Sequence, residues 1–272
     1  MSPRAKSATG AAAMSGFLAG SLASLLLARF ALKKASASRD VRGLFSVGAL
    51  GREFGGYAFS ITLFAIPGIL SSFGDRWIIL QMLSAAHVGV YVALSQIANA
   101  PANLLLAVFS QTMNPVIFQR AGDASSAEAM RASRRLLYRA LLLLAALLIL
   151  VTGVSYMFGE VIVSIMTSPD FAPHAGLLWV LVLSAAIFQI AQALASEAFL
   201  LNKPFMLFFP KLLHAATFLG LALWLVRDRQ LAGVAIAGVA AAAVYLALVL
   251  ATNLYAARAR GLTSSLPAGN GS

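Results

Sequence analysis

The side chains that could bind a ligand are few, and most stand inside long apolar stretches. Their densest group is a stripe of polar residues whose spacings of 3, 4, 7 and 4 place them on one helix face: Gln96, Asn99, Asn103, Ser110 and Asn114. We expect this stripe to form the wall of a hydrated cavity for a hydroxyl-rich ligand. The same amides could instead form hydrogen bonds between packed helices, and the sequence leaves both interpretations open.

A second, smaller stripe carries Gln189, Gln192 and Ser196 on one helix face. Glu197 follows it directly, outside the stripe. We expect the Glu197 carboxylate to lie at a membrane interface or to pair with the nearby Lys203, and contact with a ligand is the alternative. These residues extend the predicted ligand path to a second helix.

Charged groups inside apolar segments add three further candidates. Asp75 and Arg76 are neighbours between two apolar runs, where facing lipid would cost several kcal/mol. They therefore face a partner helix, a cavity or the outer interface. Lys211 shares a helix face with His214, and it either reaches back to the lipid headgroups or lines a cavity.

The residue inventory excludes several kinds of chemistry. The chain has no cysteine, and its three histidines, His87, His174 and His214, lie far apart, so the sequence predicts neither a disulfide nor a metal site. Phosphate-loop, nucleophilic-serine and paired catalytic carboxylate patterns are absent from the sequence. We therefore expect no catalytic residue, no metal and no cofactor, and a protein that is not an enzyme.

Composition identifies the elements that must position these residues. Hydrophobic residues make up 60% of the 272 residues and charged residues 11%, and the mean hydropathy is +0.86. A soluble chain of this size cannot bury so much apolar surface. The net charge of +11 lies in short loops rather than in a nucleic-acid-binding patch. The chain is therefore expected to be a multi-pass membrane protein that binds no nucleic acid.

Seven stretches are long and apolar enough to cross a bilayer as helices. They are Ala11–Leu32, Phe54–Leu70, Val88–Thr112, Leu136–Phe158, His174–Glu197, Phe205–Val226 and Leu231–Tyr255. The predicted fold is an all-α membrane bundle of about seven helices. Residues 1–43 would form the first helix and a basic cytoplasmic linker, residues 44–257 a six-helix lobe, and residues 258–272 a disordered cytoplasmic tail. We expect Pro101 and Pro115 to break or bend the third helix.

The distribution of basic residues predicts the orientation. One set of loops carries 15 of the 20 lysines and arginines, and the other set carries 5. Because cytoplasmic loops are enriched in these residues, the C-terminus is predicted inside and the N-terminus outside. A cleavable signal peptide over Met1–Ala37 is the alternative for the first span. The loop Gln119–Arg135 is expected to be cytoplasmic, with a capping box at Ser125 and a short amphipathic helix.

The order of features from Leu44 onward resembles the C-terminal half of polysaccharide flippases. The resemblance rests on three segments, Ser72–Leu80, His87–Ala98 and Asn114–Phe118, with Pro101 between the last two. These flippases are Wzx-like members of the multidrug/oligosaccharidyl-lipid/polysaccharide exporter superfamily. The resemblance implies one six-helix lobe preceded by one helix. It also implies transport of an undecaprenyl-linked oligosaccharide across the bacterial inner membrane for surface polysaccharides such as O-antigen.

Such flippases have two lobes, so the resemblance also predicts that this chain acts with an N-terminal lobe partner or with a second copy of itself. Other functions remain open at this stage. The chain could be a multidrug-type cation-coupled antiporter, a membrane-embedded glycan polymerase or ligase, or a fragment that transports nothing. The antiporter requires a carboxylate within the membrane, for which Asp75 and Glu197 are the candidates.

Overall fold

The computed structural model describes residues 67–68, 70, 73–122, 126–201 and 203–259, which belong to one compact unit, Thr62–Ser272. Every regular element in these ranges is helical, so the all-α prediction is confirmed there. A helical segment at residues 73–82 comes first. Then follow α1 (Ala85–Ala121), α2 (Ala127–Met166), a 3₁₀ helix (Pro169–Leu177), α3 (Leu178–Leu194), α4 (Ser196–Leu200), a second 3₁₀ helix (Pro204–Leu207) and α5 (Phe208–Ala259).

Four of the described helices are long and apolar enough to cross a membrane: Ala85–Ala121, Ala127–Met166, Asp170–Leu200 and Phe205–Ala259. Large apolar side chains cover their outer surface, and Leu142, Ile149 and Ile165 are 73%, 70% and 77% exposed. Such a surface is stable against lipid and not against water. The predicted first span, Ala11–Leu32, and nearly all of the second, Phe54–Leu70, lie outside the described residues, so the count of seven is not confirmed.

Helix α1 continues through Pro101 and Pro115. Of the expected break or bend, the break is therefore wrong. A proline removes one backbone hydrogen bond, but within a membrane bundle neighbouring helices can satisfy the freed carbonyl. The helix begins where the Ser84 hydroxyl accepts a hydrogen bond from the His87 backbone N–H, at 3.4 Å. It ends at Gly122, whose φ of 58° favours glycine.

Residues 127–135, where a short amphipathic helix was expected to lead into the fourth span, are helical and form the first turns of α2. Its cap is Ser126 and not Ser125, since the Ser126 hydroxyl accepts from the Ala129 backbone N–H at 3.3 Å. The helix buries one stripe of side chains against the bundle: Met130, Ser133, Leu137, Leu141, Leu144 and Leu148. The predicted end of the fourth span, Phe158, is the one non-helical residue inside α2 (φ −119°, ψ 16°).

Helix α5 is a hairpin of two helical halves. Gln230 has φ 50° and ψ −132°, which reverses the chain. The rings of His214 and Tyr245 lie 5.5 Å apart, although a straight helix would separate them by about 46 Å. Gly233 faces the backbone of Leu225 so closely that a side chain at residue 233 would collide with it. The predicted spans Phe205–Val226 and Leu231–Tyr255 occupy these two halves.

The helices form a bundle whose core has two layers along its axis. One layer lies near the end where α1 stops and α2 starts, and it includes Ile117, Met130 and Leu201. The other includes Tyr91, Leu178 and Leu231, near the reversal at Gln230. The end where α1 stops and α2 starts carries two described acidic residues, Glu128 and Glu197. Its described basic residues number eight: Arg120, Arg131, Arg134, Arg135, Arg139, Lys203, Lys211 and Arg258. We name it the basic end.

The predicted boundaries of the outer segments are tested only in part. Residues 1–43 lie outside the described residues. At the other terminus Arg258 and Ala259, which were expected in the disordered tail, belong to α5. Residues 260–272 lie outside the described part of the chain.

Candidate functional site

A polar cavity lies within the bundle. The core layer that contains Ile117, Met130 and Leu201 separates it from the basic end. The cavity is partly open to the outside and has a volume of about 370 Å³ between the 73–82 segment, α1, α3 and α5. Its polar lining consists of Asp75, Arg76, Tyr91, Ser95, Gln96, Asn99, Asn103, Ser184 and His214. Phe188 and Phe218 contribute aromatic rings to the same lining. The cavity therefore combines amides, hydroxyls, one carboxylate and one guanidinium with apolar rings.

Helix α1 supplies the amide wall of the cavity. Gln96, Asn99 and Asn103 recur at helical spacing, and all three side chains are exposed to the cavity side. The Asn99 amide donates to the Ser95 carbonyl at 2.7 Å, which orients its oxygen away from the helix backbone. Ser110 and Asn114 continue the predicted stripe but are not among the lining residues. The structure thus places the first three members of the stripe at the cavity.

Asp75 and Arg76 also lie at the cavity. The Asp75 carboxylate accepts a hydrogen bond from the Arg76 backbone N–H at 2.7 Å. The Arg76 guanidinium lies over the Phe73 ring, with 5.2 Å between its carbon and the ring centroid. The Arg76 Nε is buried and has no hydrogen-bond partner among the described residues. Both charged side chains line the cavity.

The cavity ends toward the basic end at a hydrogen bond between α1 and α3. The Gln189 Nε2 donates to the Asn103 Oδ1 across 86 positions of the chain. One turn further, the Tyr245 hydroxyl donates to the Gln192 Oε1 at 2.7 Å. The Asn253 amide then donates to the Leu194 carbonyl at 2.9 Å. Gln189 and Gln192 thus join helices, as one of the two interpretations of polar stripes expected, and they do not line the cavity.

Glu197 lies at the basic end, remote from the cavity, and its partner differs from the one expected. Its side chain is fully buried, with 0% exposure, and its Oε1 is 2.5 Å from the Arg134 Nε. The Tyr138 hydroxyl donates to the other carboxylate oxygen at 2.9 Å. Pairing with Lys203 is therefore wrong. Arg134 lies where a short amphipathic helix was expected, and Tyr138 lies in the predicted fourth span. Both belong to α2, which brings them to Glu197 in α4.

Lys211 is half-buried and is not among the residues that line the cavity. Its neighbour one turn on, His214, lines the cavity instead. The His214 ring packs 5.1 Å from the Phe188 ring and 5.5 Å from the Tyr245 ring. This cluster joins α3 to both halves of α5 and supports the cavity floor.

Sequence reasoning missed several lining residues. Tyr91 and Ser95 precede the amide stripe at helical spacing, so extending the stripe toward the N-terminus of α1 would have found them. Ser184 and Phe188 lie one helical turn apart on α3, but their types are common in packed helices and give no signal alone. His214 required the α5 hairpin. Among the described residues no group of three His, Cys, Asp or Glu side chains could hold a metal ion.

No family model, curated protein or solved structure matches the chain. The cavity is therefore the feature from which a function can be inferred.

Proposed function

We propose that the protein transports a lipid-linked oligosaccharide across the bacterial inner membrane, as one lobe of a flippase for cell-surface polysaccharide synthesis. The observation that carries the proposal is the polar cavity of about 370 Å³ inside an apolar helical bundle. Its amides and hydroxyls both donate and accept hydrogen bonds, which suits sugar hydroxyls. The Phe188 and Phe218 rings offer apolar faces against which a pyranose can stack.

The lipid part of such a substrate stays in the bilayer while the sugar enters the cavity. The outer surface of the bundle supports this arrangement, because its exposed leucines and isoleucines provide continuous contact with acyl chains. The family resemblance of the sequence points to the same class of substrate. A C-terminus inside the cell, as the basic loops predict, is part of the same proposal.

The test is a transport measurement with the full chain in phosphatidylcholine vesicles. The probe is an undecaprenyl-diphosphate oligosaccharide whose sugar is cleaved by an impermeant glycosidase only when it reaches the outer leaflet. We expect Gln96→Leu and Asn99→Leu to slow transfer at least tenfold, since each removes a lining amide. Gln111→Leu is the matched control, because Gln111 is an exposed amide of α1 outside the cavity lining. Equal rates of transfer in the wild-type chain and in all three variants would contradict the proposal.

A cation-coupled antiporter is the second candidate, and the position of Asp75 favours it. Of the two carboxylates considered for coupling, Asp75 lines the cavity, whereas Glu197 is bound to Arg134 at the basic end. Under this proposal Asp75→Asn abolishes efflux of small organic cations driven by a sodium or proton gradient. Glu160→Gln, which removes an exposed carboxylate of α2, leaves that efflux unchanged. Absence of gradient-driven efflux by the full chain would exclude the antiporter.

A further inference from the structure

Helix α2 carries two arginines on its exposed face directly before its lipid-facing leucines. Arg135 and Arg139 are both exposed, and Leu142 and Leu143 are 73% and 64% exposed. Spacings of three and four residues place these four side chains on one face of the helix. The face therefore changes from cationic to apolar within one helical turn.

This change fixes the depth of the two guanidinium groups. Arg139 lies about 5 Å along the helix axis from the level of the exposed leucines, and Arg135 about 6 Å further toward the basic end. The apolar stem of an arginine can lie along the hydrocarbon surface while its guanidinium stays at the polar boundary. Both guanidinium groups are thus at the level of lipid phosphates when Leu142 and Leu143 contact acyl chains.

Neither arginine has an acidic neighbour on its own helix. The residues three and four positions from Arg135 and from Arg139 include no aspartate or glutamate. Of the two acidic residues described at the basic end, Glu197 is buried against Arg134, and Glu128 lies two turns before Arg135. A pair of exposed cations without local compensation attracts an anion from the solvent or from the membrane.

We propose that Arg135 and Arg139 form a binding site for the headgroup phosphate of an anionic phospholipid. Residues at this spacing have side chains about 6 Å apart, and each guanidinium can bind phosphate oxygens through two parallel N–H donors. The acyl chains of the same lipid lie against Leu142 and Leu143. The site is separate from the cavity and does not depend on the transported substrate.

The test uses the full chain in lipid nanodiscs of phosphatidylcholine with a minor fraction of phosphatidylglycerol. Native mass spectrometry after release into mild detergent measures the ratio of the two lipids retained by the protein. Each arginine near an anionic surface raises the binding affinity about fivefold. The pair should therefore raise the ratio of retained phosphatidylglycerol to phosphatidylcholine by on the order of 25-fold over the ratio in the nanodisc. We expect Arg135→Gln/Arg139→Gln to lose this enrichment and Arg135→Lys/Arg139→Lys to retain part of it.

The matched control removes two arginines from the opposite end of the bundle. Arg227 and Arg229 are exposed like Arg135 and Arg139, but they flank the exposed acidic residue Asp228. Arg227→Gln/Arg229→Gln should keep the enrichment, and a melting curve for each variant confirms that it is folded. Equal enrichment in the two double-Gln variants, or equal loss in both, would overturn the proposal. So would binding of inorganic phosphate by the wild-type chain without any enrichment of phosphatidylglycerol, because the site would then be one for free phosphate.

Discussion

The Arg134 guanidinium and the Glu197 carboxylate meet at 2.5 Å between the first turns of α2 and the short helix α4. Their side chains are 12% and 0% exposed, and Tyr138 donates a second hydrogen bond to the same carboxylate. A buried charge is tolerated only when its partners satisfy it. This group therefore fixes the position of α2 against α4 at the basic end.

Glu197→Ala should lower the free energy of unfolding by about 3–5 kcal/mol, because it leaves the Arg134 charge buried without its partner. Chemical unfolding in mild detergent, followed by circular dichroism, measures the change. The double variant Arg134→Leu/Glu197→Leu should recover most of the loss, since apolar residues of similar volume replace both charges. A loss below about 1 kcal/mol for Glu197→Ala, the range of exposed pairs, would contradict this assignment.

The hydrogen bond between Asn103 and Gln189 should contribute about 0.5–2 kcal/mol to the packing of α1 against α3. A double-mutant cycle with Asn103→Ala and Gln189→Ala measures this coupling in the same unfolding experiment. Asn99 and Gln189 provide a control cycle, because Asn99 bonds to the backbone of its own helix. Coupling in the control cycle as large as in the first would show that the bond is not specific.

The sequence predicts helical secondary structure, membrane location and much of the cavity wall, because these depend on local apolar length and periodicity. Gln96, Asn99 and Asn103 follow the repeat of one helix, and that repeat alone places them on one face. The partners of Glu197 and of Gln189 could not be predicted in this way, since they depend on how α2 and α1 pack against α3. His214 could not be placed at the cavity either, because its position depends on the reversal of α5 at Gln230.

The two prolines of α1 show that the surroundings of a residue can also override a strong local preference. Proline disfavours a helix interior, but α1 continues through both positions. Pro101 and Pro115 would interrupt an isolated helix in water, yet α1 runs through both. Within a bilayer no water is present to bind freed backbone groups, so the helix remains the most stable conformation. A local rule derived for soluble helices therefore fails at these two positions.

Gln96 and Asn99 should be accessible to water, because they line the cavity. The chain has no cysteine of its own, so Gln96→Cys and Asn99→Cys each introduce a single thiol. An impermeant maleimide should label both in sealed vesicles, whereas Leu142→Cys, on the lipid-facing surface, should resist it. If Leu142→Cys reacts and the two cavity positions do not, the cavity is not hydrated.

The basic end should face the cytoplasm. A reporter that is active only in the cytoplasm should be active when fused after Arg258 and inactive when inserted after Asp228, in the reversal of α5. Expression of both fusions is compared by immunoblot, so that an inactive reporter is not mistaken for an absent one. The opposite pattern of activity would invert the topology of the whole bundle.

The amide stripe of α1 should contact a second copy of the chain. Gln96, Asn99 and Asn103 remain exposed in the described structure, and lipid in contact with each would cost about 0.5–2 kcal/mol. An amide both donates and accepts, so the same stripe on another copy is complementary to it. Both copies insert in the same orientation, and a twofold axis along the membrane normal therefore brings the two stripes together around a shared cavity.

Disulfide cross-linking in native membranes checks this prediction. Ala100→Cys lies beside the stripe on α1, and Ala146→Cys on the outer face of α2 is the matched control, since both alanines are exposed. We expect Ala100→Cys to give a product of twice the chain mass and Ala146→Cys to stay monomeric. A product of a different mass for Ala100→Cys would identify a separate N-terminal lobe as the partner instead. No product, with the Ala100→Cys thiol reactive toward a lipid-soluble maleimide but not toward an impermeant one, would mean that the stripe faces lipid and that the chain acts alone.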